Sequence, residues 1–424
     1  MKRLLPAILL FMFIGAHAQD ADSLARKKSR WGGIPIPIIS YNSDFGFEYG
    51  AMTDIYDYGA GRSEFPGYRH KFHIEAAQYT KGESNAAIEY DSSHLIEGLR
   101  LTATIAWQDD PMYPFFGFGG DVTAWDPGKD KVNNVAYYDY RRSFVRMNVN
   151  VLGNIRPHLR WIAGASLWDI RTSDFNFKDY DPGNTLYNDY IKAGVIKESE
   201  RGGTVFELRG GIMYDSRDFE PEPMSGTWAE AYLIASPSLN ASTSSYVKFA
   251  AHARQYFTPG PDWLTLAYHA ATQLTLLGEA PFYMQQNIYN VIPKQVYAEG
   301  LGGSNTVRGL LPSRLLGDGY AWANFELRAR VFRLKILGFD FAGSINPFVD
   351  CGMIVQPRRL NELSQFTGKT VGELRSIATK PHASAGIGLK GAVNRNLILS
   401  VEVAKPFNPN DGRYTLVLTT NHVF

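Results

Sequence analysis

Arg308 and Asp350 are the two residues whose setting most suggests chemistry. Arg308 lies in Gly302-Gly303-Ser304-Asn305-Thr306-Val307-Arg308-Gly309, a Gly-rich loop with a single cation. Asp350 follows 42 residues later, in Phe348-Val349-Asp350-Cys351-Gly352, a strand pattern with one acid between an aromatic and a glycine. A loop cation and a strand anion suit each other if the loop folds back to meet the strand inside a cavity. The chemistry on offer is a charge-assisted hydrogen-bonded pair, not bond making. Gly302, Gly303 and Gly309 permit the turns of such a loop, and Gly352 leaves space for its approach. Motifs of hydrolases and nucleotide enzymes are missing: the sequence holds no HExxH, GxSxG or P-loop pattern. His70 and His73 are three positions apart, which places them on opposite faces of a strand, and the other histidines are scattered. The expectation is a non-enzymatic chain without metal or cofactor.

A cavity needs walls, and the sequence describes them as strands. Period-2 alternation recurs along the chain, whereas a sustained 3.6-residue period hardly appears. Leu264, Leu266, Tyr268, Ala270, Thr272, Leu274 and Leu276 share one face, while Thr265, Ala267, His269, Ala271, Gln273 and Thr275 share the other. Phe325, Leu327, Ala329 and Val331 likewise oppose Asn324, Glu326, Arg328 and Arg330. Both segments exceed the usual globular strand of about 5–6 residues and match a tilted membrane crossing. Sixteen candidate strands emerge, near 35–41, 45–57, 69–80, 84–91, 99–109, 143–153, 158–171, 204–215, 226–236, 246–257, 263–277, 320–333, 340–353, 382–391, 396–405 and 414–424. An even number closes an antiparallel barrel with both termini on one side. The longest connections, 110–142, 172–203, 278–319 and 354–381, all follow odd-numbered strands, and short turns such as 154–157, 258–262, 334–339 and 392–395 follow even-numbered ones. Long loops on one side and short turns on the other is the outer-membrane pattern. The fold class is therefore all-β: a 16-stranded antiparallel transmembrane β-barrel whose long loop enters the lumen.

Composition and the chain ends fit that address. Lys2 and Arg3 precede the 12-residue apolar stretch Leu4 to Gly15, and Ala16-His17-Ala18 suits cleavage before Gln19. The expected organisation is a signal peptide over 1–18, a short periplasmic tail over 19–33 carrying Arg26, Lys27, Lys28 and Arg30, and a barrel over 34–424. That tail is too short for a folded periplasmic domain. One cysteine, Cys351, excludes a disulfide framework, and a net charge of +1 gives no case for nucleic acid. Tyr 24, Phe 25 and Gly 40 suit a turn-rich barrel with aromatic girdles. The last residue is Phe424, with Tyr414, Leu416 and Leu418 on its face; a terminal aromatic on an alternating strand reads as a barrel-insertion signal. Loop 172–203 mixes Asp174, Asp179, Asp181 and Asp189 with Phe175, Phe177, Tyr180, Tyr187 and Tyr190, a combination that suits either a cation or glycan site or an ordinary surface loop.

With these residues in hand the chain resembles the BamA/TamA superfamily of outer-membrane assembly and transport barrels, the bacterial surface-antigen type. Val307-Arg308-Gly309 after Gly-Gly-Ser-Asn looks like that family's loop signature, with Leu310 in place of its usual aromatic. Phe348-Val349-Asp350-Cys351-Gly352 is similar to its FxDxG strand element, and Asn324-Phe325-Glu326 to the acid-bearing strand before it. Tyr214-Asp215-Ser216-Arg217-Asp218 with Pro223-Met224-Ser225-Gly226 resembles a family turn, and Pro114-Phe115-Phe116-Gly117-Phe118-Gly119 a family loop element. The resemblance implies that Arg308 meets Asp350 and Glu326 on the thirteenth and twelfth strands and latches the loop in the lumen. It further implies a role in outer-membrane biogenesis or in protein or lipid transport. Expected partners are outer-membrane lipids and other outer-membrane or periplasmic assembly proteins. A diffusion channel or surface-binding barrel is the alternative.

Overall fold

A computed structural model describes residues 30–424 apart from 43–45, 61–62, 65–67, 81, 176, 178–179, 182, 239–244, 290–299, 337–338, 394–396 and 421–423. The stretch read as a signal peptide, most of the stretch read as a basic tail, and residues 394–396 lie outside the described residues.

Sixteen strands follow one another in a single antiparallel sheet, each paired with its sequence neighbours. They are β1 (Trp31–Asn42), β2 (Gly46–Asp57), β3 (His70–Tyr79), β4 (Ser84–Ile96), β5 (Leu99–Pro114), β6 (Asp139–Arg156), β7 (Leu159–Ser173) and β8 (Gly202–Asp215). The second half comprises β9 (Gly226–Ser236), β10 (Tyr246–Phe257), β11 (Leu264–Gly278), β12 (Gly319–Ile336), β13 (Phe339–Gln356), β14 (His382–Val393), β15 (Leu397–Pro406) and β16 (Thr415–Thr420). The sixteen expected segments match these one for one. The first strand starts at Trp31, three residues inside the stretch read as tail, and β4 runs five residues beyond its expected end.

Alternation in the sequence becomes inside and outside. Ile88, Ile105, Met147, Ile212, Leu389 and Val401 point outward, 42–58% exposed, as an apolar belt. On the opposite parity Arg146, Asn148, Glu207, Lys248, His269 and Glu326 are buried. Side chains of non-neighbouring strands meet on that inner face: Tyr246 on β10 donates to Glu207 on β8 at 2.6 Å. The sheet therefore curls around a polar lumen. In β12 a register shift between Arg330 and Phe332 adds one residue to one side of the ladder, and residues 331–336 are all exposed.

The four long connections cap one end. Among them α1 (Leu186–Lys192) follows β7, while α2 (Leu360–Thr367) and α3 (Val371–Ala378) follow β13. The cap has an aromatic core in which Phe115, Phe118, Tyr140, Tyr187, Tyr190 and Phe282 are each fully buried. Leu363 and Leu374 seat the two helices against it. The rings of loop 172–203 are core rather than open platforms. Two of its acids are used internally: Tyr137 donates to Asp189 at 2.8 Å and Arg201 to Asp174 at 3.0 Å; Asp179 lies outside the described residues.

Candidate functional site: a buried charge cluster in the lumen

The connection between β11 and β12 turns back into the lumen and presents Arg308 to the wall. Leu301 and Leu315 pair across its base, and the Gly303 N–H donates to the Leu310 carbonyl at 3.0 Å. Thr306 Oγ1 accepts the Gly302 N–H at 2.9 Å, closing the tip. Gly309 is required twice over. Its φ is +95°, and a Cβ there would lie 3.0 Å from that of Ser384 and 3.1 Å from that of Ala404. Gly352 faces the incoming loop so closely that a Cβ would sit 2.8 Å from Val307.

Asp350 on β13 receives Arg308 in three bonds, from Nε at 2.8 Å, Nη2 at 3.0 Å and the backbone N–H at 2.9 Å. Nη1 donates to Glu326 on β12 at 3.1 Å. The guanidinium plane lies over the Phe348 ring, 3.5 Å from its centroid. Arg308, Asp350 and Glu326 have no solvent exposure. The structure therefore brings together the three residues that the family resemblance pairs.

It also adds residues that the sequence reading missed. Glu402 on β15 takes Arg308 Nη1 at 3.2 Å. Lys390 on β14 bridges Glu326 at 3.0 Å and Glu402 at 3.3 Å. Arg328 approaches Glu326 at 3.2 Å, and Asn346 donates to it at 2.8 Å. The Ser384 hydroxyl donates to the Arg308 carbonyl. Three cations (Arg308, Lys390 and Arg328) thus face three carboxylates (Glu326, Asp350 and Glu402). Such a balance matters because an isolated charge away from water is very costly, whereas a paired and hydrogen-bonded set is tolerated. A sequence signal for Glu402 exists: it is the one acid on the Ile398, Ser400, Glu402, Ala404 face, all of which are buried.

Phe424 departs from the expectation. Tyr414 and Leu416 are exposed, 70% and 68%, whereas Phe424 is buried. Its ring packs against His269 at a tilt of 31°, centroids 5.5 Å apart, and its main-chain oxygen accepts Arg328 at 2.7 Å. The terminal aromatic therefore does not share the outward face of Tyr414 and Leu416: Phe424 enters the lumen, where Arg328 supplies a donor. Leu418 lies within β16.

Above the lumen a second set of charges ties the loops together. Arg314 lies 3.3 Å from both Asp121 and Asp411, and His382 contacts Asp411 at 2.7 Å. Asp121, His382 and Asp411 bring ligand-type atoms within 4.8 Å of one another, but the guanidinium of Arg314 takes the cation's place between the carboxylates. Arg358 and Arg359 join Glu200, Glu279 and Asp318 at 2.6–3.2 Å. Burial opposes the charge on Glu279, yet Arg358 and Arg359 more than offset it and hold that carboxyl below its ordinary value. On the opposite rim Asp215 and Arg217 pair at 2.7 Å, with the guanidinium 4.1 Å from the Trp228 centroid. That arrangement is a stacked structural turn.

Comparison with known proteins places this geometry. A family model described as "Omp85 superfamily domain" matches residues 70–417. No curated protein matches the sequence. Among solved structures, BamA from Haemophilus ducreyi lacking POTRA domains 1–3 aligns with TM-score 0.56 and 14% identity, over 93% of this chain and 70% of that one. CdiB from Escherichia coli gives 0.51 and 11%, over 92% and 61%. CdiB from Acinetobacter baumannii gives 0.50 and 10%, over 93% and 60%. At these identities the similarity concerns the fold, and the chain spans about three fifths of the CdiB length.

Proposed function

The chain belongs to the Omp85 superfamily and is a bacterial outer-membrane β-barrel, and from that premise we propose that it serves outer-membrane biogenesis or protein or lipid transport at the seam between β1 and β16. It does so without catalysis, in contact with outer-membrane lipids and with assembly proteins as partners.

The observation that carries this reading is the outer edge of β1, which pairs with no other strand among the described residues. The Tyr58 N–H donates to the Arg30 carbonyl, and the Thr80 N–H to that of Phe47. In an extended strand the N–H and C=O of one residue point to the same neighbour, and alternate residues point to opposite neighbours. Even-numbered residues of β1 therefore face β2, in keeping with the register Ile36↔Met52 and Ile38↔Gly50. Odd-numbered residues face the other edge, and two of them are Pro35 and Pro37, which have no N–H to give. Among the described residues no ladder joins β1 to β16. A β16 strand docking on that edge forgoes two hydrogen bonds within three residues. The seam is thus built to part, whereas the lumen is occupied by a loop held on a buried charge cluster and roofed by an aromatic cap. A permanently open pore is the poorer match.

Two experiments test this reading. Tagged protein captured from outer membranes and analysed by mass spectrometry should bring assembly or transport partners with it. In planar bilayers the purified barrel should be closed or flicker. Large steady conductance together with recovery of the barrel alone would overturn the proposal in favour of a diffusion channel.

A further inference from the structure

A barrel strand between lipid and a polar lumen should carry polar residues on its inner face, and β1 does not. Residues directly opposite each other on neighbouring strands point to the same side of the sheet. Ile36 stands opposite Met52 and Ile38 opposite Gly50. Met52 in turn stands opposite Glu75, and Glu75 opposite Ala87, which is buried on the inner face. Ile36, Ile38 and Met52 therefore face the lumen. Ile36 is 48% exposed, while Ile38 and Met52 are half-buried. Pro35, Pro37 and Ile39 occupy the other face of the same strand and continue the lipid-facing belt, with Ile39 56% exposed. From Pro35 to Ile39 the first strand is thus apolar on both sides.

The other lip of the seam repeats the pattern. Val417 on β16 stands opposite Glu402 on β15 and so faces the lumen, while Leu416 faces outward. The apolar inner zone is short. On β2 the inner face returns to Glu48 on the cap side of Gly50, and to Asp54 on the other side of Met52. Asp54 is held by Lys71 at 3.0 Å and by His73 at 2.9 Å. There begins the polar cleft that Lys71, His73, Asp91 and Asn150 help to line. Asn150 Oδ1 is buried in it without a hydrogen-bond partner.

Aliphatic side chains on a lumenal face are unfavourable against water and favourable against hydrocarbon. A polypeptide strand at this edge needs ladder bonds, for which Pro35 and Pro37 supply no donor. Hydrocarbon needs none. Apolar side chains lead from the outer belt at Ile39 and Leu416, across the edge, to Ile36, Ile38, Met52 and Val417 inside. We propose that the β1–β16 seam admits the hydrocarbon chain of an outer-membrane lipid, with these four side chains as its inner threshold and the polar cleft beside them receiving the headgroup. The inference rests on the seam reading above and narrows its substrate to lipid.

The test uses the full chain with Ile36, Ile38, Ile39 or Arg160 replaced singly by the photoreactive p-benzoylphenylalanine. Each variant is reconstituted in bilayers of one phospholipid and irradiated, and its adducts are read by mass spectrometry. All four positions are exposed or half-buried, and heat-resistant gel mobility verifies each fold. Arg160 shares the inner face of β7 with Ile162 and serves as the lumenal control away from the seam. Lipid adducts should form at Ile36 and Ile38, as at Ile39, and not at Arg160. Adducts at Ile39 alone would overturn the proposal; equal adducts at Arg160 would show a lumen filled with lipid throughout and overturn it as well. Adding Pro35→Thr with Pro37→Thr should lower the adducts at Ile36 and Ile38 roughly tenfold relative to Ile39, as two restored ladder bonds close the edge. An unchanged ratio would mean that lipid arrives by another route and would also overturn the proposal. Partner capture and bilayer conductance do not depend on this labelling. Assembly partners recovered without lipid adducts at Ile36 would leave the seam to polypeptides and sink only the present inference.

Discussion

The wall formed by β12–β15 and the edge formed by β1 are built on opposite chemistry. On the wall, Glu326, Asp350, Lys390 and Glu402 come from four successive strands and converge with Arg308. Every one of them is buried and engaged. Near the first strands the lumen keeps a small polar cleft, lined by Lys71, His73, Asp91 and Asn150 among others. The edge of β1 carries prolines where donors would stand. The wall gains rigidity from a low-dielectric charge cluster, whereas the β1 edge lacks two backbone donors.

The largest expected effect comes from breaking the wall. Arg308→Ala leaves Asp350 and Glu402 buried without their main counter-charge, a loss of about 3–5 kcal/mol for one partner removed from a desolvated set. The midpoint of heat-induced unfolding by gel mobility should fall sharply, and loop 279–318 should become sensitive to protease. Unchanged mobility and protection would show that the cluster does not hold the loop.

Glu402→Gln should cost less, about 1–3 kcal/mol, because the amide keeps one acceptor for Arg308 or Lys390 while the charge balance is lost. The same assay should rank it between wild type and Arg308→Ala. A value equal to wild type would make β15 a bystander.

The edge is sharpened in the opposite direction. Replacing Pro35 and Pro37 together by Thr restores two donors, each worth about 0.5–1.5 kcal/mol if paired. Amides of β16 should exchange more slowly, and the biogenesis or transport activity should decline while the fold remains. No change in exchange would mean that β16 does not dock on that edge.

The smallest effect is expected in the cap. Glu279 has its carboxyl held below the ordinary value by Arg358 and Arg359, so its contribution is present above the unfolded-state value and is lost as pH falls through the depressed folded one. The group is almost half exposed, which limits the term to well under about 1 kcal/mol. Surface proteolysis of the cap should rise modestly in acid, and Glu279→Gln should abolish that increment.

Much of this was legible in the residues. Alternation such as Thr265, Ala267, His269 against Leu266, Tyr268 assigned inside and outside, because a strand has a strict period of two and the two faces meet different media. Loop lengths sorted the two ends of the barrel for a similar reason. Val307-Arg308-Gly309 and Phe348-Val349-Asp350-Cys351-Gly352 marked two partners through the rarity of a lone charge in such settings.

Parity, however, says only which face a side chain takes. It does not say at what depth the side chain lies or what stands opposite. Glu402 and Lys390 join Arg308 because strand stagger and curvature bring β14 and β15 to the height of the loop tip. Phe424 leaves the outward face because Arg328 offers its main-chain oxygen a donor inside. By itself the sequence determined sixteen strands, their faces and one charged loop, since these follow from local period and composition. Only the tertiary structure decided which charges share a site, because that depends on how a curved sheet brings distant strands to one height.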